Sequence, residues 1–287
     1  MNHEIFEKIA NRYESSLIKG LLDDFRSKSA NVLRLSDASK PAPRLEILLE
    51  EEGNIKVARV LTRHDLPLCS YPHFGTWAYL LSAGDELVVL DCGPKYSGLN
   101  MHRPTKRQPA GNAKLIMEVL TELWPNKAIR EILLSHYHYD HTEAAPALQS
   151  LAWERFGFRP PIRIHEADSG DKIFLHVMKQ SLEKQFRLAG YDDWLLGDNI
   201  QDGEQIEGTD FMVKLMPGHT SGTIGLINAK QKIAICGYKD CRTSRMIDLV
   251  LSPVHEDVKS MRQAHAFLEE DDYTCYIFHP MVVRKDG

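Results

Sequence analysis

The chain has 287 residues, with 35 Lys and Arg against 40 Asp and Glu, so its formal net charge is −5 at pH 7. Apolar residues make up 43% of the sequence and charged residues 26%, which is ordinary for globular proteins and argues against disorder. The mild acidity argues against a dedicated nucleic-acid binder, and no apolar run approaches the roughly 18 residues that a membrane span needs.

The N-terminal ten residues are charged and lack the apolar stretch of a signal peptide. The five cysteines are an odd number, and their spacing is not that of a disulfide framework. Reduced thiols are typical of proteins that stay in a reducing compartment. We therefore expect a cytoplasmic protein.

The first predicted element is a helix over residues 4–28, in which apolar side chains recur in steps of four from Ile5 to Phe25. Residues 1–43 are therefore expected to form an N-terminal helical extension, followed by one domain over residues 44–287. The apolar face of this helix would pack against its own domain. Alternatively, it would cover a site or join two subunits of a homo-oligomer.

Strands and helices alternate after this extension. Strands are predicted over 44–49, 55–61, 76–82 and 86–91, followed by a polar loop over 94–111, a helix over 112–124 and a short buried strand over 132–134. Further strands are predicted over 162–165, 212–216, 223–228, 233–236 and 273–278, with helical stretches over 169–189 and 256–269. Strands that pair with helices in both halves indicate an α/β domain with two stacked sheets and helices outside.

The segment from Ser135 to Thr142 contains three histidines and one aspartate, directly after a predicted buried strand. Alternate side chains of an extended segment share a face, so His136 and His138 can converge on one ion. Asp140 and His141 lie where the chain turns out of the strand and can bind a second ion. Imidazole and carboxylate are suitable ligands for zinc and related metals. The segment therefore predicts a metal site.

This cluster resembles the H-x-H-x-D-H motif of the metallo-β-lactamase superfamily, and other segments between about residues 70 and 280 resemble that family too. They are Leu90-Asp91-Cys92-Gly93, Ile164-His165-Glu166-Ala167-Asp168, Asp202-Gly203-Glu204, Pro217-Gly218-His219-Thr220-Ser221-Gly222, Ile235-Cys236-Gly237 and Phe278-His279-Pro280. The resemblance implies an αββα sandwich of the metallo-β-lactamase type, with its site at one edge of the two sheets.

The resemblance also implies a set of metal ligands. Each of two ions would have three ligands from the chain, the first His136, His138 and His219, and the second Asp140, His141 and His279. The alternatives are a turn histidine in the Pro-Gly-His segment and a buried strand-end histidine in the His-Pro segment. Zinc is the expected metal, with one or two ions per chain, and iron or manganese are the alternatives.

One position departs from the family pattern. A metal-bridging aspartate often follows the glycine that matches Gly237, but this chain has Tyr238 there, and the first carboxylate after it is Asp240. Either a local bulge brings Asp240 to the metals, or the bridge is absent and Tyr238 lines the pocket. The sequence leaves both arrangements open.

The resemblance implies a metal-dependent hydrolase of a small-molecule ester, lactone or thioester, acting through a metal-bound hydroxide. Asp140 would orient this nucleophile and take up its proton, and Tyr238 could donate a hydrogen bond to the developing oxyanion. Asp91 would fix a ligand histidine through its other ring nitrogen, or it would cap the end of its strand. The expected partner is a small-molecule substrate, with no nucleic acid and no membrane.

Other functions stay open. Glyoxalase II-like thioesterases rank lower, because they carry a helical substrate domain after the last ligand, whereas this chain ends shortly after His279. β-Lactam hydrolysis of the subclass B3 type is the runner-up. A mononuclear iron dioxygenase, with His136, His219 and an aspartate as ligands, is a further alternative. So is a metal-binding protein without turnover, because Tyr238 could block the bridging position.

Overall fold

The computed structural model describes residues 45–63, 75–95, 111–170, 172–174, 178–237 and 257–278. The predicted N-terminal helical extension, residues 1–43, lies outside these residues. In the described residues, six strands form the first sheet, in the order β1 (Leu45–Glu51), β2 (Asn54–Arg63), β3 (Gly75–Ala83), β4 (Glu86–Leu90), β5 (Ala128–Leu133) and β6 (Ile162–Arg163). Four strands form the second, in the order β12 (Thr274–Ile277), β11 (Ile233–Cys236), β10 (Ile224–Asn228) and β9 (Met212–Leu215).

Helices and a small two-stranded ribbon complete the described elements. The ribbon consists of β7 (Lys172–Phe174) and β8 (Met178–Gln180). The helices are α1 (Gly111–Leu123), α2 (Tyr139–Thr142), α3 (Ala145–Phe156), α4 (Glu166–Ser169), α5 (Leu182–Leu188) and α6 (Val258–Glu270). None of these described helices is both long enough and apolar enough to cross a membrane.

The side chains of β3 show how the layers are stacked, because alternate residues of a strand face opposite sides. Ala78 and Leu80 belong to a core that includes residues of α1 and α3, whereas Trp77 and Leu81 belong to a core shared with the second sheet. A third apolar cluster joins the second sheet to α6 through residues such as Leu268. The layers are therefore helix, sheet, sheet and helix, which confirms the predicted αββα sandwich.

The strand directions determine where the functional loops lie. Strands β1 to β4 form an antiparallel meander, but β4 and β5 are parallel neighbours, as are β5 and β6. The carboxyl ends of parallel strands meet at the same edge of a sheet. The residues that follow β4 and β5, beginning with Asp91 and Leu134, are therefore adjacent.

The two sheets are joined by hydrogen bonds close to this edge. The Trp77 N–H donates to the carbonyl of Phe278 at 2.7 Å, and the Tyr79 hydroxyl donates to the carbonyl of Ile277, also at 2.7 Å. The Arg59 guanidinium lies over the Trp77 ring, 4.2 Å from its centroid, and its Nε donates to Glu46 at 2.7 Å. The hydrogen bonds of Trp77 and Tyr79 hold the end of the last strand against the first sheet.

The predicted and observed helices differ at two places. The stretch 169–189 is not one helix: α4 ends before the extended Gly170, the β7–β8 ribbon follows, and α5 begins where the Ser181 hydroxyl accepts a hydrogen bond from the Lys184 N–H. Helix α3 was not predicted. Its signals were present, since a proline stands in its first turn and Gly157 ends it in a left-handed conformation at φ 68°.

The layered core predicts that two leucines contribute very differently to the free energy of unfolding. Leu80 is fully buried in β3, whereas Leu188 at the end of α5 is 72% exposed. We expect Leu80→Ala to lower the free energy of unfolding by about 2–5 kcal/mol, because the substitution removes buried apolar contact and leaves a cavity. Leu188→Ala is the matched control and should change it by about 0.5 kcal/mol or less. Urea unfolding of both variants checks this, and equal shifts would contradict the assigned core.

Candidate metal centre

The histidine-rich segment is held in place by the backbone of neighbouring strands. The carbonyl of Ser135 accepts a hydrogen bond from the Ile224 N–H of β10 at 2.9 Å. The carbonyl of His141 accepts one from the Cys92 N–H after β4 at 2.8 Å. The segment is therefore fixed at both ends.

Three histidine rings meet at this point. His136 Nε2 lies 3.1 Å from His138 Nδ1 and 3.0 Å from His219 Nε2. All three side chains are buried, and each offers a ring nitrogen within 4.8 Å of the other two. Two ligands of one tetrahedral zinc ion lie about 3.3–3.4 Å apart, given zinc–nitrogen bonds of about 2.0–2.1 Å. The observed separations are close to this value, so these residues fit a metal ion.

The protonation of His136 also fits a ligand role. The Ser135 hydroxyl donates its proton to Asp91 Oδ2 at 2.7 Å and lies 2.9 Å from His136 Nδ1. Because the hydroxyl has one proton to give, it accepts from His136 Nδ1–H. The other ring nitrogen, Nε2, then carries a lone pair directed at His138 and His219. A metal ligand needs such a lone pair.

His141 lies beside this group, with its ring centroid 4.1 Å from that of His136. Its Nδ1 is 2.7 Å from Asp91 Oδ2, and its Nε2 is 3.5 Å from Asp140 Oδ2. Burial disfavours a charged ring, but the negative carboxylates of Asp91 and Asp140 outweigh it, so the pKa of His141 is raised above its ordinary value. The same negative charge favours a bound cation.

Asp91 is hydrogen-bonded through both carboxylate oxygens. Its Oδ1 accepts the N–H of Ser135, two residues after β5, at 2.8 Å, and its Oδ2 contacts His141. The carboxylate is fully buried. Asp91 has a φ of +64°, a conformation that aspartate tolerates better than most residues.

Asp140 lies at the edge of the cluster, where its side chain remains 15% exposed. The Thr76 hydroxyl donates to its Oδ2 at 3.5 Å. Thr76 opens β3, so the first sheet contributes a contact to this carboxylate. This position, beside His141 and open to solvent, suits a residue that meets a water molecule or a substrate.

The loop that carries His219 depends on close backbone approach. Gly218 has a φ of +136°, and a Cβ there would lie 2.3 Å from the backbone nitrogen of Met261 in α6. The Asp257 N–H donates to the Gly218 carbonyl at 2.8 Å. The start of α6 therefore determines where His219 lies.

Several buried polar residues of this site carried no predicted role. Ser135 contacts both Asp91 and His136, as described above. Gln185 of α5 donates to the Tyr137 carbonyl at 2.6 Å and accepts from the Thr142 hydroxyl at 2.9 Å. Asp168 contacts the loops of both His136 and His219. The sequence offered only a weak signal for them, since their partners lie far away along the chain.

The structure brings together five of the predicted site residues, namely His136, His138, Asp140, His141 and His219. Three others, Tyr238, Asp240 and His279, lie outside the described residues. The side chain of Phe278 lies against the cluster, with its ring centroid 5.7 Å from that of His141. Phe278 therefore supplies an apolar wall.

Comparisons with known proteins agree with this architecture. A curated relative, the hydroxyacylglutathione hydrolase GloC of Haemophilus influenzae, is 30% identical over 132 residues. That match covers 45% of this chain and 57% of the relative, so it spans little more than half of the relative's length.

Solved structures also match this chain at low sequence identity. A metallo-beta-lactamase family protein from Thermus thermophilus matches with a TM-score of 0.50 and 17% identity, over 78% of this chain and 73% of that chain. An N-acyl homoserine lactone hydrolase matches with a TM-score of 0.47 and 15% identity, over 72% and 81% of the two chains.

The family model described as the metallo-beta-lactamase superfamily matches residues 71–237, which is more than half of the chain. This range includes β3 to β11 and all of the converging histidines described above. The chain belongs to the metallo-beta-lactamase superfamily.

Proposed function

We propose that the protein is a metal-dependent hydrolase of a small-molecule thioester, ester or lactone. The observation that carries this proposal is the convergence of His136, His138 and His219, whose ring nitrogens approach to 3.0 and 3.1 Å in a buried site. Membership of the metallo-beta-lactamase superfamily supports it. A buried group of imidazoles at the end of a strand is costly unless its nitrogens are bonded, and coordination satisfies them.

His136, His138 and His219 would hold one ion, and zinc suits three imidazoles with an open position for water or substrate. When bound, such an ion polarises a carbonyl oxygen and lowers the pKa of a water molecule towards neutrality. The proposed second ion would be held by Asp140, His141 and His279, with Asp240 as a further candidate ligand.

The chain's own residues would prepare the site. Asp91 accepts the Nδ1 proton of His141, so Nε2 is the atom of that ring that would coordinate the ion. Asp140 Oδ2, at the solvent side of the cluster, would orient the attacking water by accepting one of its hydrogen bonds and would then receive its proton. The Phe278 ring packs against His141 and would keep water from that face of the ring.

A thioester is the substrate class that we favour. The curated relative's name describes hydrolysis of a hydroxyacylglutathione, which is a thioester. This relative supports a thioester substrate, although the sequence alone ranked glyoxalase II-like thioesterases lower. The substrate is a small molecule in this proposal, and the net charge of −5 supports a protein that does not bind nucleic acid.

We also propose a cytoplasmic location. Cys92 is a free thiol and is fully buried, and reduced thiols are typical of reducing compartments. A homo-oligomer formed through the helix predicted over residues 4–28 stays a prediction from the sequence.

The first prediction concerns metal content. His136→Ala removes the ring that contacts both His138 and His219, so purified protein should lose its zinc and its hydrolytic turnover. His265→Ala, in α6 and without a predicted role, is the control and should keep both. Elemental analysis of protein prepared without chelator measures the zinc, and full metal content with full turnover in His136→Ala would refute the proposal.

The second prediction concerns the position after Gly237. If Asp240 bridges two ions, Asp240→Ala should lose one ion per chain, whereas Tyr238→Phe keeps the full number. If the Tyr238 hydroxyl instead binds the oxyanion, its removal should lower kcat by about 10²–10³ with metal content intact. Metal stoichiometry of both variants decides between them, and an Asp240→Ala protein with the wild-type metal count would exclude the bridge.

The third prediction concerns the reaction. With zinc bound, the protein should hydrolyse a hydroxyacylglutathione thioester with a higher kcat/KM than a simple ester, an acyl homoserine lactone or a β-lactam. Thiol release measures the thioester, and the other reactions are followed by product formation. Oxygen consumption by iron-loaded protein would instead favour a dioxygenase, and no turnover of the whole panel would favour a metal-binding protein.

A further inference from the structure

The fully buried carboxylate of Asp168 lies between the two loops that carry the converging histidines. Its Oδ2 accepts the Tyr137 N–H at 3.2 Å and the Thr220 hydroxyl at 2.5 Å. Its Oδ1 accepts the Gly222 N–H at 2.8 Å. One side chain is therefore hydrogen-bonded to both loops.

These contacts are next to the histidines themselves. Tyr137 separates His136 from His138, and Thr220 follows His219 directly. We propose that Asp168 is a positioning residue that holds the two histidine loops at the separation that one metal ion requires. This proposal rests on the metal site proposed above, and it assigns to Asp168 no contact with the metal or the substrate.

Because the Asp168 carboxylate is buried, it depends on hydrogen bonds from both histidine loops. A carboxylate that has lost its water must be hydrogen-bonded by the protein, and a charged acceptor forms stronger hydrogen bonds than a neutral one. The donors to Asp168 come from two loops. Tyr137 in the first and Thr220 in the second are about 80 residues apart in sequence. If either loop moved away, a buried charge would lose partners, so the carboxylate resists their separation.

The packing around Asp168 leaves little room for another geometry. A Cβ at Gly222 would lie 2.6 Å from Asp168 Cγ, so glycine allows the loop to approach the carboxylate. Tyr137 is also held at its carbonyl, which accepts a hydrogen bond from Gln185 at 2.6 Å. The backbone between His136 and His138 is therefore held at its N–H by Asp168 and at its carbonyl by Gln185.

The test measures binding of cobalt(II) ions to the full-length, metal-free protein. Cobalt(II) reports its ligand geometry through visible absorption, so affinity and spectrum come from one titration. We expect Asp168→Asn, which replaces an acceptor oxygen with an amide donor, to weaken cobalt(II) binding about 10–100-fold and to change the spectrum. Circular dichroism of the metal-free variant checks that it is folded.

The matched control is Gln149→Met. Gln149 is also fully buried, donates to the Pro160 carbonyl at 2.6 Å and to the Leu195 carbonyl at 2.9 Å, and contacts neither histidine loop in these bonds. Its loss should lower stability but leave cobalt(II) affinity and spectrum unchanged. Equal losses of affinity in the two variants would mean that Asp168 acts only through overall stability, and would overturn the proposal.

A second pair of variants covers the case in which Asp168→Asn does not fold. Thr220→Val removes the hydroxyl that donates to Asp168, whereas Thr220→Ser keeps it. We expect weaker cobalt(II) binding in the valine variant and recovery in the serine variant. Wild-type affinity in Thr220→Val would overturn the positioning role, and failure of the wild-type protein itself to bind cobalt(II) would overturn the metal site on which it rests.

Discussion

Four imidazole rings, those of His136, His138, His141 and His219, are buried together, and much of the surrounding structure serves to satisfy their nitrogens. Buried polar groups cost free energy unless they are bonded. The Asp91 carboxylate and the Ser135 hydroxyl bond the outer nitrogens of two rings. This leaves inner nitrogens facing one another at distances that a cation would satisfy. Asp91 therefore orders the hydrogen bonds of Ser135 and His141, and through Ser135 those of His136, so that the Nε2 atoms of these two rings are the ones available to a metal.

The architecture explains why these groups meet. Parallel pairing places the ends of β4 and β5 side by side, so Asp91 and the segment after Leu133 are neighbours although they are distant in sequence. The second sheet supplies the His219 loop, which Gly218 allows to approach α6. The candidate ligands thus lie on loops and on the short helix α2, while the two sheets provide a rigid support, a common division in proteins. The site belongs to neither sheet alone.

Much of the fold and of the candidate site could be predicted from the sequence. The features that could not be predicted share a physical cause. The strands of both sheets were predictable because their apolar residues alternate or form short buried runs, as in β3 and β11. The convergence of His136 and His138 followed from their spacing, and His219 was found through a motif. Asp168 and Gln185 were not found, since a buried polar residue is defined by partners that only the fold reveals. The helix predicted over 169–189 was wrong because local apolar spacing outweighed the break at Gly170.

The hydrogen bonds that join the last strand to the first sheet also have a consequence for assembly during synthesis. Tyr79 and Ile277 are 198 positions apart in the chain. Phe278, which follows Ile277, packs against the His141 ring. Proteins emerge from the ribosome with the N-terminus first, so the histidine motif appears long before its apolar wall. The histidine pocket can therefore be enclosed on this side only after residues 277 and 278 have been synthesised.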